Sequence, residues 1–476
     1  MTPGWLDAAI VLAAPSVLGH ATLRAIGIDA AADRVAWPAW AYTIGSLVHA
    51  TLLSLWFALG KPVGGTWVLP AEIVLGLIAI AACRGRAPAP TSPAPRTLGR
   101  GLGLLLTVAL TVIVIVHLTT GNPTLMMHSD GSNIWTAKAR VMFTTAGFGD
   151  DYRRAAGLFV IHPDYPLLNP LLQLGAFEQV GALTPAFNRL PIVAFVPALL
   201  LAMMAAARRF VPWLAAAAMA TMLVGAGSVR AIAFDTYSDI MVMLGLLVTI
   251  DAWLRWQASH DPACWRLATL AATFTVSSKN EGAMLLLVVA IAIVTSRLLG
   301  GVTRSWPRRL RDRAWLAIPT AAIAGHALLN TVMGFGSDLF EAGADHGSFF
   351  DRLTANLAER APRLLEFFTF DVALDAPATR LVFALMLLAF LLRPHPALRS
   401  PATVPLLAAA GGLVAYMLVF AASYWTLDEH LATAGVRVAM HLAPLALLAT
   451  AMLLGRPDPE RTRADRELSP DGPPLE

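Results

Sequence analysis

Long apolar runs alternate with short polar stretches along almost the whole chain. The runs are continuous for about 15–22 residues, whereas strands of membrane β-barrels alternate in polarity over about ten residues. Because lipid offers no partners for backbone N–H and C=O groups, such runs cross a membrane as helices. We therefore predict an all-α polytopic membrane protein with about 13 transmembrane helices. The predicted spans lie near 5–22, 40–60, 66–83, 101–119, 189–207, 212–227, 238–254, 267–278, 282–296, 314–334, 378–392, 402–422 and 438–454.

Basic residues predict how these spans are oriented. Short loops rich in arginine stay in the cytoplasm, and this rule sets the N-terminus outside and the C-terminus inside. The stretch 84–100, rich in Pro, Ala and Arg, is then a cytoplasmic linker between a three-span N-terminal unit (1–83) and a larger module (101–454). The charged tail 455–476 is expected to be disordered. The short stretch 166–182 contains prolines and a glutamate and fits either a span or a juxtamembrane helix.

Composition agrees with a membrane protein and excludes several functions. Hydrophobic residues make up 57% of the chain and charged residues 14%, whereas a soluble domain is about a quarter charged. The net charge of +4 comes from arginines in short loops, where orientation explains them, so no nucleic-acid partner is predicted. The sequence has no P-loop, no Gly-rich dinucleotide motif, no HExxH and no GxSxG, which argues against a nucleotide-driven machine and against a lipase-type nucleophile.

The large loop 120–165, predicted to lie outside the cytoplasm, is the first candidate for an active site. It contains the stretch HSDGSNIWTAKARVMF. Asp130 is a candidate general base, and Lys138 and Arg140 are candidate phosphate contacts. From Trp135 onward the pattern predicts an amphipathic helix in the membrane interface, with Lys138 and Arg140 facing the headgroups. The same residues also fit an ordinary interfacial helix that begins at an Asp N-cap.

Four further polar stretches fall on the same predicted side of the membrane. Their ionisable residues are His162 and Asp164; Asp235 and Asp239; Lys279 and Glu281; and Glu429, His430 and Arg437. Asp235 and Asp239 are at positions i and i+4 and would share one face of a helix. Ionisable groups at membrane depth are costly to bury, which makes them candidate functional groups. We assign Lys279 and Arg437 to a phosphate and the others to an acceptor or a sugar.

Most of these stretches also have a plain structural interpretation. His162 and Asp164 can cap the helix that follows them. Lys279 and Glu281 can pair in the turn of a helical hairpin, and Arg437 can extend to the lipid headgroups. One His beside one carboxylate is too little to predict a metal site, so a bound divalent cation stays an open possibility.

The order of these stretches resembles that in the GT-C glycosyltransferases, polytopic membrane enzymes that use polyprenyl-phosphate sugars. The resemblance is carried by WTAKARVMF, HPDYPLL, TYSDI, SKNEG and HLATAGVR, which follow one another between residues 128 and 445. They are similar to motifs of the dolichyl-phosphate-mannose-protein mannosyltransferase and lipid A aminoarabinose transferase group. The usual acidic pair of that family's first loop is not present, because Gly131 follows Asp130.

The resemblance implies a glycosyltransferase in a bacterial inner membrane, with its active site facing the periplasm or the outside. The loop acid of the family falls on Asp130, which would activate the acceptor hydroxyl. Lys138, Arg140, Lys279 and Arg437 would hold the donor phosphate, because a lipid-phosphate leaving group needs cations rather than an acid. The expected partners are a polyprenyl-phosphate-linked sugar, a glycan, lipid or protein acceptor, and the bilayer.

Two other functions remain open at this point. A transporter or flippase of lipid-linked glycans would explain ionisable groups within the membrane and the interrupted hairpin 267–296. Such a protein needs polar groups along a path across the membrane, whereas the predicted polar groups gather on one side. A non-catalytic membrane scaffold is the third hypothesis.

Overall fold

The computed structural model describes residues 4–28, 33–59, 66–83, 130–145, 147–184, 187–225, 227–302, 306–337, 347–375 and 379–455. Over these ranges the chain forms helices and no strands. The predicted span 101–119, the linker 84–100, the start of the loop 120–165 and nearly all of the tail 455–476 lie outside the described residues. The predicted all-α class is therefore confirmed for the described residues.

The helices carry the following labels in chain order: α1 (Trp5–Ala25), α2 (Ala36–Ala58), α3 (Val68–Ala82), α4 (Ala137–Thr144), α5 (Asp150–Phe159), α6 (Leu168–Val180), α7 (Leu190–Val193), α8 (Phe195–Ala207), α9 (Trp213–Gly225), α10 (Gly227–Phe234), α11 (Asp239–Ser259), α12 (Pro262–Ser278), α13 (Asn280–Leu298), α14 (Leu310–Arg313), α15 (Ala317–Met333), α16 (Phe349–Glu366), α17 (Thr379–Leu392), α18 (Pro394–Leu398), α19 (Thr403–Ala421), α20 (Leu427–His430), α21 (Val436–Met440) and α22 (Ala443–Leu454). Wider π-helical turns occupy Gly131–Thr136, Phe367–Asp375 and Leu431–Gly435, and a 3-10 turn occupies Ala314–Leu316.

Six helical segments are long and apolar enough to cross a membrane. They are Trp5–Ala25, Ala36–Ala58, Leu190–Ala207, Asn280–Leu298, Leu310–Met333 and Thr403–Ala421. A seventh arises if Leu427–Met440 and Ala443–Leu454, bent by 41°, form one broken span. The described residues thus contain six or seven candidate spans by length and composition, rather than the predicted 13 or so. Part of the difference is length, because α3, α9 and α17 are apolar but have only 15, 13 and 14 residues.

The N-terminal unit packs directly on the rest of the bundle. Helices α1 and α2 approach through glycines: a Cβ on Gly19 would lie 1.7 Å from the carbonyl oxygen of Ala41, and one on Gly45 would lie 1.6 Å from that of Pro15. Small residues allow such backbone contact between helices in a membrane. Helix α2 also packs on α6, α8 and α12.

Helix α11 runs through the bundle interior, and most of its residues are buried. Near its C-terminal end, Arg255 pairs with Asp33 and Asp251, and Arg208 and Arg209 pair with the same two carboxylates. Asp239 starts the helix, about 24 Å away by the helical rise. Charged residues therefore lie at both ends of α11, and the two groups are far apart.

The prediction that a helix from Trp135 onward lies in the membrane interface is wrong, because protein surrounds this segment. The π-helical turn Gly131–Thr136 and α4 lie inside the protein, where Trp135 and Met142 are each only 1% exposed. Helix α4 packs on α5 and α6, which cover its apolar face in place of lipid. The ambiguous stretch 166–182 forms α6, a helix of 13 residues, 12 of them buried, that is too short to be a candidate span.

Two other helices are amphipathic. Helix α5 buries Tyr152 and exposes Leu158 and Phe159. Helix α16 was not predicted, since it lies between the predicted spans 314–334 and 378–392. Its start carries a sequence signal, since Ser348 and Asp351 form a capping box in which the Ser348 hydroxyl accepts the Asp351 N–H.

Candidate functional site

The candidate general base Asp130 lies beside Arg437. Arg437 Nη1 is 2.7 Å from Asp130 Oδ2, and the same guanidinium lies 4.5 Å from the ring centre of Tyr237. Arg437 Nε is also 3.7 Å from Asp239 Oδ1. The Asp130 side chain is 34% exposed, whereas that of Asp239 is fully buried. Asp130 is therefore the accessible carboxylate of this pair and the one that a substrate can reach.

Asp239 is the centre of the buried part of the cluster. Its Oδ1 lies 3.3 Å from Lys279 Nζ and 2.9 Å from His441 Nε2. Lys279 continues to Glu281 at 2.9 Å, and His441 Nδ1 lies 2.5 Å from the hydroxyl of Tyr416. Polar contacts thus run without a gap from Tyr416, deep in the bundle, to the accessible Asp130. We call Asp130, Asp239, Lys279, Glu281, Arg437 and His441 the ionic cluster.

The break between α12 and α13 delivers Lys279 to this cluster. Lys279 has extended backbone angles, φ −162° and ψ 151°, so one helix ends at Ser278 and the next begins at Asn280. The two helices pack closely here, since a Cβ on Gly282 would lie 2.2 Å from the carbonyl oxygen of Thr275. The polar interruption in the sequence predicted this break correctly, and Lys279 and Glu281 form the predicted pair.

Lys138 does not face lipid headgroups, contrary to our prediction. Its side chain is fully buried, and its ammonium group donates to the carbonyl oxygens of Pro163 at 2.9 Å and Tyr165 at 2.5 Å. Burial lowers the pKa of Lys138 to about 7, although the Asp164 carboxylate opposes this shift. Lys138 therefore holds the HPDYP segment in place, and its geometry gives no support to a phosphate contact.

Asp164 is fixed by residues that the sequence analysis did not single out. Asn280 Nδ2 donates to Asp164 Oδ2 at 2.8 Å, and Asn330 Nδ2 donates to the Asp164 carbonyl oxygen at 2.8 Å. The His326 ring contacts Asn280 and Asn330, each at 3.2 Å. This network ties HPDYP to α13 and α15, which brings Asp164 next to the ionic cluster.

Several predicted site residues lie at the edge of the cluster or away from it. His162 stacks on Tyr165, with ring centres 5.0 Å apart. Glu429 is exposed and accepts a hydrogen bond from Thr426. His430 Nδ1 lies 2.8 Å from the hydroxyl oxygen of Ser423.

Asp235 and Asp239 do not share a helical face, so that prediction is wrong. Helix α10 ends at Phe234 and α11 begins at Asp239, while Thr236 between them has a positive φ of 60°. The turn directs the two carboxylates differently, and Asp235 stays half-buried. Arg140 is half-buried on α4 and has no hydrogen bond or ion pair from its side chain within the described ranges.

The position after Asp130 has no room for an acidic side chain, and Gly131 occupies it. A Cβ at this position would lie 1.9 Å from the carbonyl oxygen of Asp235. No side chain fits unless the backbone moves. The close approach couples the loop that carries Asp130 to the turn that precedes Asp239.

A network of buried amides and hydroxyls stabilises the contact between Gly131 and Asp235. Thr136 donates to Gln173 Oε1 at 2.8 Å, Gln173 donates to Asn169 Oδ1 at 2.7 Å, and Asn169 donates to the Thr236 carbonyl oxygen at 2.7 Å. Asn188 Nδ2 also donates to Gln173 Oε1 at 2.5 Å. All five residues are fully buried, so the network sets the position of the site's backbone.

Among the residues that the structure describes, no group of three or more His, Cys, Asp or Glu side chains could hold a metal ion. We therefore derive no step through a divalent cation. In the comparisons with known proteins, no family model, no curated protein and no solved structure matches this chain.

Proposed function

We propose that this chain is a membrane glycosyltransferase that moves a sugar from a polyprenyl-phosphate donor to an acceptor outside the cytoplasm. The observation that carries the proposal is the contact of Asp130 with Arg437, backed by Asp239 and Lys279. An accessible carboxylate next to the half-buried Arg437 and near the buried Lys279 matches the needs of this reaction. The carboxylate can take a proton, and the cations can bind a phosphate leaving group.

The proposed reaction is an inverting displacement at the anomeric carbon. The acceptor oxygen forms a bond to that carbon, the bond from carbon to the phosphate oxygen breaks, and the hydroxyl proton passes to Asp130. Arg437 donates a hydrogen bond to one carboxylate oxygen of Asp130. A donor phosphate competes for this guanidinium, which can bind phosphate through two N–H groups. Binding of the donor would therefore free Asp130 to accept the proton.

The remaining assignments follow from this function. Arg140 is the further candidate cation for the phosphate, because it has no partner within the described ranges. Asp164, Glu281 and His430 are candidate sugar or acceptor contacts at the edge of the cluster. We also propose the finer fold assignment, a GT-C-like architecture with the ionic cluster outside the cytoplasm. In that orientation the cluster faces the side of the membrane on which the sugar of the donor lies.

A transporter of lipid-linked glycans is the alternative. The broken helix pair Leu427–Met440 and Ala443–Leu454 favours it, because interrupted helices line the sites of many transporters. The apolar interior of α11 between its two charged ends disfavours it, because a glycan crossing the membrane needs polar contacts along its path.

Proteoliposomes that contain the purified full-length chain distinguish the two functions. A radiolabelled polyprenyl-phosphate sugar is supplied with an extract of envelope acceptors, and label is followed in products and across the bilayer. If the chain is a glycosyltransferase, labelled product forms. Arg437→Lys should transfer the sugar more slowly, because a lysine ammonium cannot bind a phosphate through two N–H groups in one plane. Movement of label across the bilayer without any product would overturn the proposal.

A further inference from the structure

A cleft of about 360 Å³ opens between α16 and the segment that follows α19. Its walls include Asp351, Arg352, Asn356, Arg360, Ser423 and Tyr424. We call it the α16 cleft. None of these residues belongs to the ionic cluster.

The two arginines of the cleft, Arg352 and Arg360, hold neighbouring segments together through hydrogen bonds to backbone carbonyls. Arg352 Nε donates to the carbonyl oxygen of Ala422 at 2.8 Å, and Arg360 Nη1 donates to that of Ser423 at 2.7 Å. These carbonyls follow the C-terminus of α19, the negative end of the helix dipole, where cations are stabilising. Asp351 adds a carboxylate to the same wall. The guanidinium N–H groups are thus occupied by backbone carbonyls, and the Asp351 carboxylate offsets one of the two positive charges, which disfavours an anionic ligand.

The other walls suit a neutral ligand with many hydroxyl groups. Asn356 is half-buried, and its amide makes no hydrogen bond within the described part of the chain. It offers two N–H donors and an acceptor oxygen to a ligand. Tyr424 is 38% exposed and Trp425 beside it is 47% exposed, with ring centres 5.6 Å apart. Exposed aromatic rings next to a polar amide can bind the apolar face and the hydroxyl groups of a sugar together.

One short contact joins the cleft to His430, a neighbour of the ionic cluster. The Ser423 hydroxyl, in the cleft wall, lies 2.8 Å from His430 Nδ1. His430 in turn lies within electrostatic range of Arg437 and Glu281. His430 therefore lies between the cleft wall and the charged groups of the ionic cluster.

We propose that the α16 cleft binds the acceptor, and that this acceptor is a neutral, hydroxyl-rich sugar chain. The proposal rests on the proposed function, since it names the acceptor class of the same site. Asn356 and Tyr424 are the residues that would contact the glycan, and Arg352 and Arg360 would shape the cleft from behind.

A binding measurement on the full-length protein tests the proposal. The probe is a fluorescently labelled oligosaccharide fraction released by mild acid from the envelope of cells that lack this protein. We expect Asn356→Ala and Tyr424→Ala each to weaken binding by about three- to tenfold. Thr354→Ala is the matched control on the same helix, because its exposed hydroxyl bonds only within α16, and it should bind like the wild type. Unchanged binding in both cleft variants, or no binding by the wild type, would overturn the proposal.

The outcomes also separate this proposal from the proposed function. Glycan binding that the cleft variants weaken, together with no sugar transfer by the wild type, refutes the enzyme and keeps the cleft. Sugar transfer to a protein or lipid that proceeds normally in Asn356→Ala keeps the enzyme and refutes the cleft.

Discussion

Arg437 and Asp130 are 307 positions apart in the chain, and their side chains meet at 2.7 Å. The contact joins the start of the described loop to the bent helix pair near the C-terminus. It also lies at the border between solvent and the buried charges of Asp239 and Lys279. The most exposed carboxylate of the ionic cluster therefore lies next to a guanidinium.

The buried pair of Lys279 and Asp239 predicts a large stability effect. Lys279→Met would leave Asp239 and Glu281 without their shared cation in the protein interior. We expect a loss of about 3–5 kcal/mol in the free energy of unfolding, because Asp239 would keep only the more distant Arg437 as a permanent cation and Glu281 would lose its ion pair. Denaturant unfolding in detergent measures the loss.

Arg140→Gln provides the control for that experiment. It also removes one positive charge, but the Arg140 side chain has no ion pair within the described ranges. The change should stay within about 0.5 kcal/mol, as for most surface substitutions. Equal losses in the two variants would contradict a specific role of the Lys279 ion pairs.

The contact of Gly131 with Asp235 predicts a steric effect. Gly131→Ala inserts a methyl group 1.9 Å from a carbonyl oxygen and must shift the backbone that carries Asp130. We expect destabilisation of about 1–3 kcal/mol, as for other overpacked sites, together with a loss of activity. Gly157→Ala in α5 meets no atom within 4 Å and should be neutral or slightly stabilising. Thermal unfolding of both variants, side by side, checks the prediction.

The lowered pKa of Lys138 predicts how the free energy of unfolding changes with pH. Burial lowers its pKa to about 7 in the folded protein, whereas an unfolded lysine titrates near pH 10.4. Between these values the unfolded chain binds more protons, so the Lys138 contribution makes the folded state more stable as pH rises. The slope is at most about 1.4 kcal/mol per pH unit. Below pH 7 both states are protonated and the contribution is constant.

Lys138→Met isolates this effect. Unfolding is followed from about pH 6 to about pH 9 in the wild type and the variant. The wild type should gain stability relative to Lys138→Met as pH rises, whatever the constant offset between them. Parallel curves would show that the ammonium keeps its ordinary pKa inside the protein.

The ionic cluster was predictable because charged residues in an apolar chain are conspicuous. Asp130, Asp239, Lys279, Glu281 and Arg437 stood out against apolar neighbours, and the orientation rule sent all of them to one side. The structure gathers them at one end of the bundle.

The surroundings of these residues were not predictable from the same pattern. Periodicity reveals an apolar helical face but not what covers it, so Trp135 was expected in lipid and lies in protein. His441 and Tyr416 sit in apolar spans without a motif, and only three-dimensional contact reveals their link to Asp239. The Asp235–Asp239 spacing implied a helix, but a positive φ at Thr236 breaks it.

The central claim is that Asp130 is the base of a sugar transfer from a polyprenyl phosphate. Lipid mass spectrometry on cells that lack this protein, complemented with the wild type or with Asp130→Asn, tests it most directly. We predict that a glycosylated polyprenyl phosphate accumulates, or one envelope glycan loses a sugar, and that only the wild type reverses the change. If Asp130→Asn is produced at normal levels and restores the envelope equally well, Asp130 is not the base and the enzymatic account is contradicted.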